Sequence, residues 1–99
     1  MEEIIKTYEN VKAKHQEPVV LVRCKDFYYT FFDDATKTAD VVRGRVQKQT
    51  RKTMIQGEDI IYFSFPSHAL DVYLPKMIRG GLRVAICDMD FNNEKKLRR

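Results

Sequence analysis

The run "FYYTFF", from Phe27 to Phe32, places five aromatic side chains in six consecutive positions. An almost wholly apolar run, "PVVLVRC", ends just before it, across Lys25 and Asp26. β-Branched and aromatic residues favour strands, and a strand that is apolar on both sides is typical of a sheet covered on both faces. Successive side chains of a strand project to opposite faces, so the rings cannot all point the same way. The two runs therefore predict a sandwiched sheet, with "FYYTFF" continuing the first strand or forming its hairpin partner.

The rest of the chain alternates between helical and strand patterns. Helices are predicted over 2–15, from Asp33 or Asp34 as cap to about Val42, and over 68–79 with Ser67 as cap. Further strands are predicted in "RGRVQKQ" (43–49, with a basic outer face), "TMIQGEDIIYFSF" (53–65, including a turn) and "LRVAICDM" (82–89, buried). This order predicts a single α/β domain over residues 1–90, a mixed sheet flanked by helices, followed by a basic, flexible tail over 91–99.

Composition indicates a protein of the cytoplasm. No apolar run approaches the ~18 residues of a membrane span, and the acidic start "MEEIIKTYEN" is not typical of a signal peptide. Cys24 and Cys87 lie inside apolar runs, which favours buried thiols over a disulfide or metal ligands. We therefore expect a reducing, cytoplasmic setting and no contact with a membrane.

Positive charge is concentrated in the second part of the chain. Residues 1–42 carry six bases and eight acids, whereas residues 43–99 carry twelve bases and six acids. Five bases fall between Asp40 and Glu58 with no acid among them: Arg43, Arg45, Lys48, Arg51 and Lys52. Clustered bases suit a polyanionic partner, because affinity for nucleic acid comes largely from phosphate neutralisation. A solvated loop and tail would produce the same charge pattern.

The sequence predicts no enzyme, no cofactor and no metal site. His15 and His68 are far apart and have no metal-ligand spacing with the cysteines, and the double glycine follows a helix where a phosphate-binding loop would precede one. The acids Asp88 and Asp90, at the end of a strand, leave a magnesium-dependent nuclease open as an alternative.

Three motifs together carry a family resemblance. "YENVKAKH", "VVLVRCKDFYYTFFDDA" and "FPSHALDVYLPKMIRGGLRVAICD" follow one another from about Tyr8 to Asp88. In order and spacing they resemble the N-terminal, mismatch-recognition domain of the MutS family of DNA mismatch repair proteins. The resemblance implies the fold of that domain and a role in binding duplex DNA, including mismatched DNA.

The resemblance also implies roles for particular residues. Phe27 matches the family phenylalanine that wedges into the duplex from the minor groove and stacks on a mispaired base. Tyr29 stands where the family has a glutamate that hydrogen-bonds that base, and Lys25 replaces the glycine that opens the motif. A tyrosine hydroxyl still donates or accepts a hydrogen bond, but the negative charge is gone. We therefore expect higher general affinity and weaker or altered mismatch selectivity.

The long remainder of a MutS protein, including its ATPase, is not in this sequence. We therefore expect either a domain of a longer protein or a stand-alone relative, with the rest of a MutS-like machinery or another repair protein as a partner.

The predicted function is non-catalytic duplex-DNA binding. The predicted DNA-binding residues are Phe27, Tyr29, Lys25, Arg43, Arg45, Lys48, Arg51 and Lys52. Tyr28 and Phe32 are predicted to be core residues, and Phe31 is left open. The main rival is a protein-interaction domain that kept the fold, lost DNA binding and uses its exposed aromatics as an anchor.

Overall fold

A computed structural model describes residues 1–42 and 50–89 of the chain. The described elements are three α-helices, five β-strands and one 3-10 turn. In chain order they are α1 (Glu2–Lys14), β1 (Val19–Cys24), β2 (Phe27–Phe31), α2 (Phe32–Val42), β3 (Arg51–Ile55), β4 (Glu58–Pro66), the 3-10 turn (Ser67–Ala69), α3 (Leu70–Arg79) and β5 (Val84–Met89).

The five strands form one mixed sheet in the order β3-β4-β2-β1-β5. Strand β5 runs parallel to β1, and the other neighbouring pairs are antiparallel. The α/β class with a mixed sheet flanked by helices is thereby confirmed. The predicted strand at 43–49 and the predicted tail at 91–99 lie outside the described residues.

The strand "FYYTF" is the hairpin partner of "VVLVRC", since β1 and β2 pair antiparallel across a turn of Lys25 and Asp26. Strand β1 lies inside the sheet and is buried at five of its six positions, as its apolar sequence predicts.

Helices cover both faces of the sheet and create two apolar clusters. The face under α1 holds Ile4, Ile5, Tyr8, Val20, Val22, Cys24, Phe31 and Ile60, and we call it the α1 face. The other face packs Val19, Leu21, Tyr28, Phe63 and Phe65 against residues of α2 and α3. The alternation of β2 therefore sends Phe27, Tyr29 and Phe31 to the α1 face and Tyr28 to the other.

The prediction that Phe32 is a core residue was wrong. Phe31, which the sequence left open, is a core residue. Phe31 is fully buried, whereas Phe32 is 38% exposed. The cause is local: β2 ends at Phe31, and Phe32 adopts φ of +56° as the chain turns directly into α2. Tyr28 is buried, as predicted.

Strand β5 is less buried than predicted. It pairs with β1 and lies at an edge of the described sheet, so none of its residues is fully buried and Ile86 is exposed. The apolar composition of "VAICDM" gave no sign of this edge position. Cys24 on the inner strand is buried, while Cys87 on β5 is only half-buried, and both thiols are free.

Candidate nucleic-acid interface

Phe27 lies where several strand ends meet. It is the first residue of β2, pairs with Cys24 at the end of β1 on one side, and pairs with Pro66 at the end of β4 on the other. Cys24 also pairs with Met89, so β5 ends there too. Phe27 is 42% exposed, although it shares its face with fully buried Phe31. The end of the sheet therefore presents an aromatic ring to solvent at a position that packing does not require.

The turn that carries Phe27 is strained and tied down. Lys25 adopts φ of +60°, a conformation that favours glycine and costs other residues of the order of 1–2 kcal/mol. The Asp26 carbonyl accepts a 2.7 Å hydrogen bond from the Ser67 amide, and the Lys25 carbonyl accepts a 3.3 Å bond from Arg23 Nε. The two residues of the turn, Lys25 and Asp26, are both exposed. The structure therefore fixes the backbone that leads into Phe27, and the turn carries one basic and one acidic side chain.

Tyr29 lies behind Phe27 on the α1 face. The centroids of the two rings are 6.4 Å apart, and the Tyr29 ring stacks on Phe31 at 6.5 Å. Tyr29 is half-buried, and this burial raises the pKa of its phenol above the usual value. The phenol is therefore neutral at ordinary pH and able to donate a hydrogen bond, which an ionised carboxylate at this position would not do.

Tyr62 is a neighbour that sequence reasoning did not single out. It lies on β4 with its ring centroid 6.2 Å from that of Tyr29, and it is half-buried. Its strand "EDIIYFSFP" was predicted to be rich in aromatics, but only the register between β2 and β4 shows that Tyr62, opposite Phe31, shares the α1 face.

The predicted basic residues are only partly brought together. Arg51 pairs with Tyr62 and therefore lies on the α1 face, whereas Lys52 pairs with Ile61 and lies on the opposite face. Both side chains are exposed. Arg43, Arg45 and Lys48 lie outside the described residues.

The buried carboxylate of Asp34 connects residues of the motifs "YENVKAKH" and "VVLVRCKDFYYTFFDDA". Asp34 accepts hydrogen bonds from the Tyr8 hydroxyl at 2.8 Å and the Val20 amide at 3.1 Å, and it forms an ion pair with Lys12 at 3.0 Å. Burial and the adjacent Asp34 carboxylate raise the pKa of Tyr8 far above its usual value. Tyr8 and Lys12 stand one helical turn apart on α1, so both reach the same carboxylate. These residues hold α1 and α2 onto the sheet and do not line the exposed aromatic surface.

This network also corrects the predicted start of α2. The helix begins at Phe32, so Asp33 and Asp34 lie within its first turn and do not precede it as caps. The sequence showed a pair of acids beside a helix start, which is typical of capping, but the Asp34 side chain is used by α1 and β1.

The described residues form no acidic cluster for the alternative, magnesium-dependent nuclease site. Asp88 is exposed on β5 opposite Arg23, on the face away from Phe27, and Asp90 lies outside the described part. Over residues 1–42 and 50–89, no group of three or more His, Cys, Asp or Glu side chains is placed to hold a metal ion. Burial raises the pKa of both cysteine thiols. Within the same residues, no helix is long and apolar enough to span a membrane.

Comparison with known proteins gives one consistent result. The family model described as MutS domain I matches residues 2–98. The DNA mismatch repair protein MutS of Bacteroides fragilis is 43% identical over 96 residues, which cover 95% of this chain and 11% of that protein. The protein of the same name from Bacteroides thetaiotaomicron is 44% identical over 85 residues, covering 86% of this chain and 10% of the relative. The chain thus spans about a tenth of the length of the curated relatives it matches.

Proposed function

Because the chain belongs to the MutS domain I family, we propose that it is a non-catalytic module that binds double-stranded DNA in mismatch repair. Phe27 serves as an aromatic wedge, and Tyr29 stands beside it as a hydrogen-bonding and stacking neighbour. The partner that supplies further repair activities would be the rest of a MutS-like machinery or another repair protein. A cytoplasmic location remains a prediction of the sequence.

The observation that carries this proposal is the exposure of Phe27 at a strand end whose backbone is fixed by hydrogen bonding and strand pairing. An apolar wedge inserted between base steps from the minor groove unstacks them and kinks the duplex, and a mismatched step resists less than a paired one. A wedge has to be rigid to transmit this distortion. The hydrogen bond from Ser67 to Asp26 and the pairing of Phe27 with strands on both sides supply that rigidity.

Two exposed basic residues support DNA as the ligand. Lys25 lies in the turn that leads into Phe27, and Arg51 lies further along the same face of the sheet as Phe27. We propose these two bases as phosphate contacts. Arg43, Arg45 and Lys48 are proposed from the sequence alone. The contact that the sequence predicts for Lys52 is left out of the proposed surface, because the Lys52 side chain lies on the opposite face of the sheet.

Mismatch selectivity is proposed to be weaker than in relatives that carry the acid. Tyr29 has no negative charge to repel phosphates, and its neutral phenol forms hydrogen bonds with many base edges. The result is firmer general binding and less discrimination between a mismatch and its paired neighbours.

The test is fluorescence anisotropy on a matched duplex and a single-mismatch duplex with Phe27→Ala. Phe32→Ala is the matched control, because Phe32 is a similarly exposed phenylalanine at the opposite end of β2. Stacking of a base on an aromatic ring contributes ~1–3 kcal/mol, so Phe27→Ala should weaken mismatch binding about tenfold and matched binding much less. Phe32→Ala should change neither.

Equal losses on the two duplexes would reject the wedge role. Failure of the wild-type chain to bind either duplex at low salt would favour the rival protein-interaction domain, with the same aromatic surface as its anchor.

A further inference from the structure

The aromatic surface does not stop at Tyr29. Ring centroids follow one another at 6.4 Å from Phe27 to Tyr29 and at 6.2 Å from Tyr29 to Tyr62. Phe31 is fully buried, while Tyr29 and Tyr62 keep part of their surface accessible. The three accessible rings therefore cross from β2 to β4 on one face of the sheet.

The basic residue Arg51 extends this row of rings onto strand β3. Arg51 pairs directly with Tyr62 in the antiparallel ladder between β3 and β4, so the two side chains leave the same face as neighbours. Arg51 is exposed. Strand registers place it four residues along and two strands across from Phe27, a separation of ~16 Å at ~3.3 Å per residue and ~4.8 Å per strand.

This row matches what an opened nucleic-acid strand requires. Proteins bind unpaired nucleotides with aromatic rings, on which successive nucleobases stack, and with positively charged side chains, which lie along the phosphate backbone. A separation of ~16 Å corresponds to about five stacked nucleotide steps of ~3.4 Å, and to fewer steps if the strand is extended.

Building on the proposed function, we infer that the DNA-binding surface extends from Phe27 across Tyr29 to Tyr62 and Arg51. Tyr62 stacks on an unpaired base of the strand that Phe27 opens, and Arg51 binds a phosphate of that strand. Lys52, one residue further along β3, takes no part because it leaves the opposite face.

The experiment compares a duplex carrying a three-nucleotide unpaired loop with the same duplex fully paired. Arg51→Gln and Lys52→Gln form a matched pair, since they remove the same charge from adjacent exposed positions of β3. Arg51→Gln should weaken binding to the loop probe about three- to fivefold and reduce the slope of log affinity against log salt by about one. Lys52→Gln should leave both close to wild type.

Tyr62→Leu tests the stacking role. Leucine keeps an apolar side chain against Phe31 but has no ring, so binding to the loop probe should fall about tenfold while paired binding changes little. Urea unfolding of each variant checks that the fold is retained. If Tyr62→Leu does not fold, the comparison of Arg51 with Lys52 decides alone.

Equal losses for Arg51→Gln and Lys52→Gln, or no loss for Arg51→Gln, would overturn the inference. A folded Tyr62→Leu variant that binds the loop like wild type would overturn it as well. In these cases the central part of the proposed function, DNA binding with Phe27 as the wedge, still stands if the wild-type chain binds DNA and Phe27→Ala removes mismatch preference. Absence of wild-type binding to both probes would instead reject the proposed function itself.

Discussion

Replacing Asp34 with alanine should destabilise the domain severely, although Asp34 is not part of the proposed DNA-binding surface around Phe27. The change removes the acceptor of the Tyr8 hydroxyl, the Val20 amide and the Lys12 ammonium. Tyr8 keeps a 3.2 Å bond to the Phe31 carbonyl, and Lys12 keeps a 2.6 Å bond to the Pro18 carbonyl. The fully buried Val20 amide is left without this acceptor, which alone costs ~1–3 kcal/mol. With the lost ion pair, we expect a loss of about 3–5 kcal/mol.

The measurement is urea unfolding followed by circular dichroism, with extrapolation to zero denaturant. Asp33→Ala is the control, because it removes an exposed acid from the preceding position of the same helix turn and should change the unfolding free energy by less than ~0.5 kcal/mol. Asp34→Asn should fall between the two, since its amide oxygen still accepts hydrogen bonds. A loss for Asp34→Ala below ~1 kcal/mol, or one equal to that of Asp33→Ala, would refute the account of this network.

Four further predictions concern stability, pH and selectivity. Lys25→Gly should raise the unfolding free energy measured in urea by ~0.5–1 kcal/mol, because the backbone strain removed at φ of +60° exceeds the entropy that glycine adds to the unfolded chain. A decrease in the unfolding free energy would argue against strain in the turn. Thr30→Val should stabilise by ~1 kcal/mol, because the buried Thr30 hydroxyl has no hydrogen-bond partner among the described residues; a destabilised variant would show that the hydroxyl is satisfied. Above pH ~10 the unfolded chain loses the Tyr8 proton while the folded chain keeps it, so stability should fall by up to ~1.4 kcal/mol per pH unit; the fall should be shallower in Tyr8→Phe, and equal slopes would contradict this. Tyr29→Glu should weaken binding to matched duplex and increase the ratio of mismatched to matched affinity in anisotropy titrations, and an unchanged ratio would remove Tyr29 from the selectivity argument.

The sheet was predictable where its residues follow simple alternation. The inner strand β1 and its hairpin partner follow from two apolar runs separated by Lys25 and Asp26, and Phe27 at the start of the partner strand is exposed. Phe31 and Phe32 were harder, because the change from strand to helix occurs between them at a positive φ. Alternation cannot locate such a change, since both residues are equally suited to a core.

Other features depend on pairing that a single sequence does not contain. The edge position of β5 follows from the order of strands, and the separation of Arg51 from Lys52 follows from the register of β3 against β4. The role of Asp34 required α1 to be placed on the sheet, although the spacing of Tyr8 and Lys12 already put both on one side of a helix. Proximity of Tyr62 to Tyr29 likewise appears only once β4 is set beside β2.

The most direct test of the central claim is the affinity of the wild-type chain for matched and single-mismatch duplexes, measured by fluorescence anisotropy across a salt series. We predict binding that weakens steeply with salt, because phosphate contacts release counterions, together with a modest preference for the mismatched duplex. Binding that does not depend on salt, or no binding to either duplex at low salt, would contradict the claim that this domain binds DNA.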